Sequence, residues 1–567
     1  MDQRLQKMLF REDASLRSAI ECCLAGSKKV GFCVDSENRL IGILTEGDIL
    51  RAIRDGASLN DRAGDFVNRK PVSVSEMVPV AEAKRMMGKK IQIIPRIDVE
   101  GRVVGSVEMS SYEYGFLDIK SRSVLILGLG YVGLTLGMVL ADNGFLVNGW
   151  DINTGLMDRL KNKEAPFFEA GLQDFIDRHT GRNFRPIERL EEAASDIYVI
   201  TVGTPVDPIT KEPLLDAIRN AASSVGQVLA KDNLVILRST LMVGTTRGLV
   251  IPELEKRSGL KAGKDFFVAF CPERTAEGRA LKELRYLPQI IGGLDEKSSE
   301  LASRLFNAYT PTIVNVESLE AAELCKLIDN SFRDVRFAFA NQIAEIGESL
   351  GLDIYRVIEA VNLNYSRNDI PKPSPGVGGP CLIKDPYILR KLFRENGLDA
   401  PLLTAARHIN EAGPRRIVRS AETLLKTIGK QLNECRVFVA GFAFKGEPET
   451  SDLRDSTTLW LLDELKRHTE RIVGYDPVAF PSEMNSLGIQ VVGVEEGFRD
   501  SDVVFIMNNH KSYLRWDMEY YISLMKRPAL VYDCWRMFSD RKIAALPNVL
   551  YAGIGVGCGG ELPDRVA

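Results

Sequence analysis

A glycine-rich turn between an apolar strand pattern and a helix pattern constrains the fold more than any other stretch. The apolar run at 123–127 ends in a turn whose candidate cofactor contacts are Gly128, Gly130, Tyr131, Val132 and Gly133. A second apolar run ends at Asp151, 18 residues after the last glycine. Such glycines let a pyrophosphate approach a helix N-terminus, and the acidic residue accepts hydrogen bonds from a ribose. The spacing predicts a doubly wound sheet that binds NAD, since Asp151 would repel the 2′-phosphate of NADP.

Polar residues follow three later apolar runs of this half of the chain. Thr204 comes after the run at 196–202, and Ser239 and Thr240 come after the run at 234–238. Ligands of open α/β sheets bind at the carboxyl ends of strands, so we expect these side chains to line the cofactor site. A further run ends in Glu273, which is a plausible general base, or an ordinary acid at a helix N-terminus.

Composition limits the classes of function. A length of 567 residues is too great for one core and predicts roughly three to four domains. The net charge of −4 gives no reason to expect a nucleic-acid or membrane partner. Nine scattered cysteines and four histidines indicate no metal site and predict a reducing, cytoplasmic location. The N-terminus lacks a signal-peptide pattern, and no apolar run approaches the roughly 18 residues of a membrane helix.

Residues 1–118 contain an internal repeat of helix, strand, turn and strand. Asp35–Asn38 and Asp98–Gly101 supply the turn residues of the two copies. The repeat resembles a tandem pair of CBS domains, an adenine-nucleotide-binding module. The resemblance implies that Thr45 and Asp48 contact a ribose, while the second copy lacks the matching Asp. A spacer or oligomerisation module without ligand is the alternative.

The centre of the chain carries a lone cysteine after a glycine-rich run. Gly378 and Gly379 precede Cys381, and Lys384 and Asp385 follow it. A neighbouring cation favours the thiolate, which is the nucleophile, but a buried packing cysteine is the alternative. Upstream, residues 318–350 read as one long helix that places two further candidate side chains on one face, Lys326 and Asn330.

The last part of the chain, 416–567, repeats an α/β pattern without the glycine fingerprint. Lys445 and Arg536 follow apolar runs, so both suit a phosphate or diphosphate at strand ends. Arg454 is a further candidate for a phosphate or cofactor contact. The pattern predicts a second doubly wound sheet.

Four motifs follow the fingerprint in order, namely CPExxxEG, ExxKxxxN, GVGGxCxxKD and FKGxxxTxDxRxS. Together they resemble the UDP-sugar 6-dehydrogenase family over about 120 to 550. The resemblance implies oxidation of a UDP-sugar C6 hydroxymethyl to a carboxylate with two NAD⁺, through a thiohemiacetal and a thioester on Cys381. It implies that Lys326 and Asn330 stabilise the C6 oxygen and that Glu273 acts as an acid/base. Thr240 and Asp385 would position water.

The resemblance also implies contacts to the ligands. Glu277 and Arg454 would contact NAD, and Lys445 and Arg536 would bind UDP or the sugar. Arg367 matches an Arg that reaches the site from a neighbouring subunit, which implies a homo-oligomer. The remaining implied substrate contacts are Arg274, Gly378, Gly379 and Lys384.

Arg274 after Glu273, with GVGG before the cysteine, favours the UDP-N-acetylhexosamine branch over UDP-glucose. UDP-ManNAc, UDP-GlcNAc and UDP-GalNAc stay open. Two rivals are a silent nucleotide-sugar-binding protein and a two-electron hydroxyacid dehydrogenase. The expected architecture is a CBS pair (1–118), an NAD-binding Rossmann-like domain (119–310), a helical region with the Cys loop (311–415) and a UDP-sugar domain (416–567). This α/β fold class joins two Rossmann-like domains by a long central helix.

Overall fold

The computed structural model describes residues 3–25, 29–78, 83, 86–87, 91, 93–108, 119–538, 542–543 and 545–556. The chain divides into two compact units, Met1–Ser121 and Arg122–Ala567. The helix pattern at 78–90 lies mostly outside the described residues. None of the helices in the described parts of the chain has the length and apolar character needed to cross a membrane.

The first unit contains two three-stranded sheets. The strands are β1 (Leu9–Arg11), β2 (Val30–Val34), β3 (Leu40–Thr45), β4 (Val74–Ser75), β5 (Ile93–Ile97) and β6 (Val103–Glu108). The described helices are α1 (Gln3–Lys7), α2 (Leu16–Ala25) and α3 (Glu46–Arg54). In both sheets the first two strands are parallel and the last two antiparallel.

The two sheets repeat each other in detail. Each antiparallel pair has a register shift near the end of its first strand. Asp35 accepts from the backbone N–H of Arg39 at 2.9 Å, and Asp98 accepts from that of Arg102 at 2.8 Å. Identical turn chemistry in both copies accounts for the repeat that the sequence shows.

The second unit opens with an eight-stranded sheet. Its strands are β7 (Val124–Leu127), β8 (Val147–Trp150), β9 (Phe184–Pro186), β10 (Ile197–Ile200), β11 (Leu234–Leu237), β12 (Phe267–Phe270), β13 (Gln289–Gly293) and β14 (Ile313–Asn315). The spatial order is β14-β13-β12-β11-β10-β7-β8-β9, and only β12 and β13 pair antiparallel. The first six strands therefore follow the 3-2-1-4-5-6 order of a dinucleotide-binding sheet. Its helices are α4 (Tyr131–Asp142), α5 (Thr154–Lys161), α6 (Leu172–His179), α7 (Asp216–Val228), α8 (Ile251–Ser258), α9 (Ala280–Glu283) and α10 (Glu296–Phe306).

Four helices connect this sheet to the next. They are α11 (Leu319–Leu350), α12 (Ile354–Asn362), α13 (Asp385–Glu395) and α14 (Pro401–Thr427). The helix α11 begins at the cap Ser318, whose side chain accepts from the backbone N–H of Ala321, and ends at Gly351 in the left-handed conformation. The loop with Cys381 lies between α12 and α13 in the chain.

A six-stranded, fully parallel sheet completes the chain. Its strands are β15 (Val437–Ala440), β16 (Ile472–Tyr475), β17 (Gln490–Val491), β18 (Val503–Ile506), β19 (Ala529–Asp533) and β20 (Val549–Ala552). The order β17-β16-β15-β18-β19-β20 repeats the 3-2-1-4-5-6 topology, and the sheet is the second doubly wound sheet that the sequence predicts. Its helices are α15 (Thr457–Leu465), α16 (Pro481–Ser486), α17 (Val494–Phe498) and α18 (Met518–Ser523).

Candidate active site

The glycine turn after β7 fits a dinucleotide. Gly128 has φ +93°, and a Cβ on Gly133 would lie 1.9 Å from the carbonyl oxygen of Gly128. A Cβ on Gly130 would meet nothing within 4 Å, so open space remains beside the backbone there. The N-terminus of α4, capped by Gly130, has no side-chain cap. The turn thus combines tight internal packing with free backbone donors beside an open face, which suits a pyrophosphate.

The carboxylate at the end of β8 is held in place for a ribose. Asp151 Oδ2 accepts from the backbone N–H of Leu129 at 2.7 Å, and Oδ1 accepts from that of Asn153 at 2.8 Å. Ser239 donates to the carbonyl oxygen of Val202 at 2.6 Å, which joins the ends of β10 and β11. Thr204 is buried, and its hydroxyl has no hydrogen-bond partner among the described residues. A buried hydroxyl without a partner is a natural contact for a bound group.

The tight packing of its glycines fixes the cysteine loop. A Cβ on Gly378 would lie 2.5 Å from the carbonyl oxygen of Asp455, and one on Gly379 would lie 2.6 Å from the ring of Phe444. Cys381 itself is exposed. Although the residue is exposed, the surrounding protein desolvates the thiolate and raises the pKa of Cys381, against the lowering effect of Lys326. This exposure favours the nucleophile over the buried packing cysteine as the role of Cys381, and the role stays a prediction.

Two predicted catalytic side chains meet at the start of α13. The fully buried Asp385 accepts from Asn330 Nδ2 at 2.5 Å on one oxygen and pairs with Lys384 Nζ at 2.7 Å on the other. Burial lowers the pKa of Lys384, while Asp385 and Cys381 raise it, and the net change is a rise. The contacts bring the long helix and the cysteine loop together around one carboxylate.

Lys326 reaches the turn after β12. Its Nζ donates to the backbone carbonyl of Glu273. The carboxylate of Glu273 has other partners: one oxygen pairs with Arg238 Nε at 3.0 Å, and the other accepts the backbone N–H groups of Arg274 and Thr275 at 2.7 and 2.8 Å. Burial raises the pKa of Glu273, but Arg238, the backbone N–H of Thr275 and Lys326 together outweigh it, so the pKa is lowered.

Arg238 is a residue of this site that the sequence reasoning passed over. Its side chain is 1% exposed, and Nη1 donates to the Cys271 carbonyl at 3.1 Å and to Gln289 Oε1 at 2.9 Å. An Arg at the end of an otherwise apolar strand was the available signal, because a buried guanidinium requires a partner.

A second set of groups lies between the two sheets. Lys445 Nζ donates to the carbonyl oxygen of Glu277 at 2.8 Å, and Thr450 Oγ1 donates to the Glu277 carboxylate at 3.3 Å. Burial, with the charge of Asp452, raises the pKa of Glu277 to about 7. Burial also lowers the pKa of Lys445. Arg454 pairs with Asp452 and lies 3.9 Å from Glu277.

This set includes the aromatic residue of the fingerprint. Tyr131 stacks on Phe167 with ring centroids 3.9 Å apart, and its hydroxyl lies 3.3 Å from Ser451 Oγ. Arg454 lies over the Tyr131 ring at 6.0 Å. The predicted cofactor contacts therefore gather at the carboxyl ends of both sheets.

The other predicted residues lie around this centre. Arg274 binds the carbonyl oxygen of Pro288 and lies 3.7 Å from Asp329, and Arg536 pairs with Asp353. Arg367 is exposed and lies over the Tyr365 ring at 5.0 Å. Thr240 is half-buried. No hydrogen bond or ion pair between described residues joins Arg274, Arg367 or Thr240 to Cys381, and the roles of all four residues stay predictions.

In the N-terminal unit, the two predicted ribose contacts form a capping box. Thr45 Oγ1 accepts from the backbone N–H of Asp48, while the Asp48 carboxylate accepts from the backbone N–H of Thr45 at 2.9 Å. Asp48 also pairs with Arg51. The two residues thus have a structural role in starting α3, and their ligand role stays a prediction.

Family models match three consecutive parts of the second unit. The NAD binding domain of the UDP-glucose/GDP-mannose dehydrogenase family matches 122–310, the central domain 320–412 and the UDP binding domain 438–540. The chain belongs to the UDP-glucose/GDP-mannose dehydrogenase family. CBS domain models match 8–55 and 63–111. The expected family, fold class, NAD cofactor and dehydrogenase class are confirmed.

Matches to similar proteins cover almost the full length of those proteins and about three quarters of this chain. A UDP-N-acetyl-D-mannosamine dehydrogenase of Pyrococcus horikoshii is 31% identical over 76% of this chain and 99% of its own. An NDP-N-acetyl-D-galactosaminuronic acid dehydrogenase of Ralstonia nicotianae is 30% identical over 76% and 99%. The solved structure of a UDP-glucose dehydrogenase from Pyrobaculum islandicum matches with a TM-score of 0.68 at 28% identity, over 77% and 98%. The three dehydrogenase family models begin at residue 122, so none of them matches the N-terminal unit.

Proposed function

We propose that this NAD-dependent dehydrogenase oxidises the C6 hydroxymethyl of a UDP-N-acetylhexosamine to a carboxylate in two steps. The observation that carries the proposal is the exposed Cys381, flanked by Lys326, Lys384 and Asp385. An alcohol dehydrogenase that stops at the aldehyde has no use for a nucleophilic thiol. A four-electron oxidation does, because the aldehyde must be held covalently for its second oxidation.

The residues divide the chemistry between them. The glycine turn at Gly128–Gly133 and Asp151 would hold NAD⁺, and two NAD⁺ molecules in succession would supply the hydride acceptor, one for each oxidation. Cys381 adds to the aldehyde carbon to give a thiohemiacetal, and the thioester that follows is hydrolysed by water, which releases the carboxylate and restores the thiol. Lys326 and Asn330 would stabilise the oxygen that gains negative charge. Asp385, which both Asn330 and Lys384 contact, would orient the water, together with Thr240.

The contacts of Glu273 favour a supporting role. Both carboxylate oxygens are occupied by Arg238 and two backbone donors, and the backbone carbonyl holds Lys326. Its predicted acid/base role stays a prediction. With a lowered pKa, Glu273 is ionised at neutral pH and can act only as a base.

Contacts to both nucleotides would come from the groups between the sheets. We propose that Glu277 and Arg454 bind NAD, and that Lys445 and Arg536 bind the UDP-sugar. The match of 438–540 to a UDP binding domain supports a UDP-linked substrate. The names of two relatives, a UDP-N-acetyl-D-mannosamine dehydrogenase and an NDP-N-acetyl-D-galactosaminuronic acid dehydrogenase, refer to N-acetylated sugars. This favours an N-acetylhexosamine substrate over UDP-glucose.

The decisive experiment counts NADH formed per sugar consumed, across UDP-ManNAc, UDP-GlcNAc, UDP-GalNAc and UDP-glucose. We expect two NADH per sugar with one N-acetylated substrate. Cys381→Ser should stop before the carboxylate, while Cys22→Ser, in the N-terminal unit, should match the wild type. One NADH per sugar and an indifferent Cys381→Ser variant would refute the mechanism. Two NADH only with UDP-glucose would refute the substrate class.

We further propose a homo-oligomer built on the long helix. Five large apolar side chains on α11 are about half exposed, at spacings of four and seven residues, namely Ile328, Phe332, Phe339, Ile346 and Leu350. Such spacing places them along one face, which suits a second helix of the same kind. The exposed Arg367 would then be available to a neighbouring subunit.

The CBS pair is proposed as an adenine-nucleotide sensor. Calorimetry of the full chain with AMP or ATP, in saturating NADH, tests it. We expect binding that Asp48→Asn weakens and that Asp55→Asn, at the far end of α3, leaves unchanged. No binding by the wild type would leave the unit as a spacer or assembly module.

A further inference from the structure

A basic cavity lies on the second unit, away from the catalytic cysteine. It has a volume of about 260 Å³ and lies where the loop at 205–215 meets the helix α13 and the start of α14. None of the predicted catalytic or cofactor residues lines it. The charged side chains of its wall are four cations and two carboxylates, Lys211, Arg390, Lys391, Arg394, Glu212 and Asp399.

The ion pairs of the wall leave two cations unmatched. Glu212 accepts Lys391 on one oxygen and Arg394, at 2.5 Å, on the other. Lys211, Arg390 and the wall carboxylate Asp399 form no ion pair within 4 Å with any described residue, although the charge of Lys211 acts to lower the pKa of Asp207 and of Asp455 from a longer distance. Both cations are half-buried, so their charges are less well screened by water than those of ordinary surface residues.

Both unmatched cations lie close to one aromatic ring. Lys211 Nζ lies 5.6 Å and the Arg390 guanidinium 4.9 Å from the ring centroid of Tyr387. The ring is fixed in turn, because its hydroxyl donates to Glu411 at 2.8 Å. Two like charges near one ring repel each other, and an anion bound between or beside them would offset that repulsion.

The loop that carries Lys211 is ordered by its own contacts. The Asp207 carboxylate accepts the backbone N–H groups of Ile209 and Thr210 at 2.9 and 2.7 Å, and the Asp207 backbone N–H donates to the Glu212 carbonyl at 2.8 Å. Lys211 itself has φ +59°, a left-handed backbone that is uncommon outside glycine. The cation is therefore presented by a preformed turn.

We propose that this cavity binds a small phosphorylated ligand, with Lys211 and Arg390 as its principal contacts. Guanidinium and ammonium groups together are the usual partners of phosphate oxygens, and Arg can bind two of them at once. The volume suits a diphosphate or a sugar phosphate. Because the cavity joins the loop after Thr204 to the helix that begins at Asp385, such a ligand would link the cofactor side of the site to the cysteine side.

The probe is inorganic pyrophosphate, titrated into the full chain by calorimetry. Saturating NADH and UDP block the two nucleotide sites that also attract diphosphates. We expect one pyrophosphate per chain. Lys211→Ala and Arg390→Ala should each weaken binding about tenfold, the loss for one charge-assisted hydrogen bond. Lys256 is an exposed lysine outside the cavity, so Lys256→Ala should bind pyrophosphate with the affinity of the wild type.

Other outcomes overturn the proposal. The cavity is not the site if the wild type does not bind pyrophosphate. The same holds if the Lys211→Ala and Arg390→Ala variants bind pyrophosphate with the affinity of the wild type. Equal affinity for malonate, a small dicarboxylate, would refute the phosphate class. Circular dichroism of each variant shows whether it is folded, and Arg390→Lys, which keeps the charge, should recover part of the affinity.

Discussion

The buried pair of Arg238 and Glu273 gives a prediction that separates support from chemistry. Replacing Arg238 by Met leaves the Glu273 carboxylate buried without its cation and removes the donors to Cys271 and Gln289. Breaking one partner of a buried pair costs about 3 to 5 kcal/mol. For a domain of this size, each kcal/mol lowers Tm by about 2 to 4 °C, so we expect the NAD-binding domain to melt about 6 to 20 °C lower.

The magnitude is checked by differential scanning calorimetry of Arg238→Met, Glu273→Gln and the double variant. The neutral amide of Gln needs no cation, so the double variant should lose less stability than the sum of the single variants. A pair in direct contact typically couples by about 0.5 to 3 kcal/mol, and we expect the upper part of that range because both groups are buried. Additive losses, or a Tm change below about 2 °C for Arg238→Met, would refute the reasoning.

Activity of the same variants measured below their Tm separates the two roles of Glu273. If its carboxylate only holds the turn and its carbonyl holds Lys326, Glu273→Gln should keep kcat within about tenfold of the wild type. Loss of a general acid or base removes about 10²- to 10⁴-fold. A loss in that larger range would establish the acid/base role that the family resemblance implies.

Four further predictions concern other parts of the molecule. Iodoacetamide should alkylate Cys381 faster as the pH rises to 9, because its pKa is raised and only the thiolate reacts; a plateau below pH 8, seen by mass spectrometry, would contradict this. The pH profile of kcat/KM for NAD⁺ should show a step near pH 7 that Glu277→Gln removes and that Glu296→Gln retains. A step that persists in Glu277→Gln would show that another group titrates there. Phe332→Asp should shift the protein to a smaller species in light scattering, whereas Lys256→Asp should not; an unchanged mass would refute the α11 seam. Gly133→Ala should lower Tm, because the new Cβ would lie 1.9 Å from a carbonyl oxygen, while Gly130→Ala should keep Tm and weaken NADH binding in a fluorescence titration; equal Tm values would contradict the packing argument.

Much of the fold was readable from local pattern. The apolar runs at 123–127 and 234–238, the glycine turn and Asp151 predicted a dinucleotide sheet, because strand period and turn chemistry are local properties. The helix expected at 318–350 is observed as Leu319–Leu350, since a cap and a terminal glycine mark its ends. The repeat in the N-terminal unit was also visible, because each copy repeats its own turn residues.

The side-chain contacts of the site could not be predicted from the sequence as well as the fold could. The sequence placed Glu273 as a candidate base, yet its carboxylate faces Arg238 and its carbonyl faces Lys326. Nothing local in CPExxxEG says which of the two groups points to the site. Similarly, the charges of Lys211 and Arg390 are 179 positions apart in the chain and become neighbours only around Tyr387.

By itself, the sequence determined the element types, the dinucleotide fingerprint, the cysteine motif and the family that they indicate. These follow from residue spacing, which is set along the chain. Only the tertiary structure decided that Cys381 is open to solvent, that Asp385 joins Asn330 to Lys384, and that a basic cavity lies beside the loop after Thr204. Such features depend on which distant segments of the chain pack against one another, because desolvation and charge pairing act between groups that are neighbours in space.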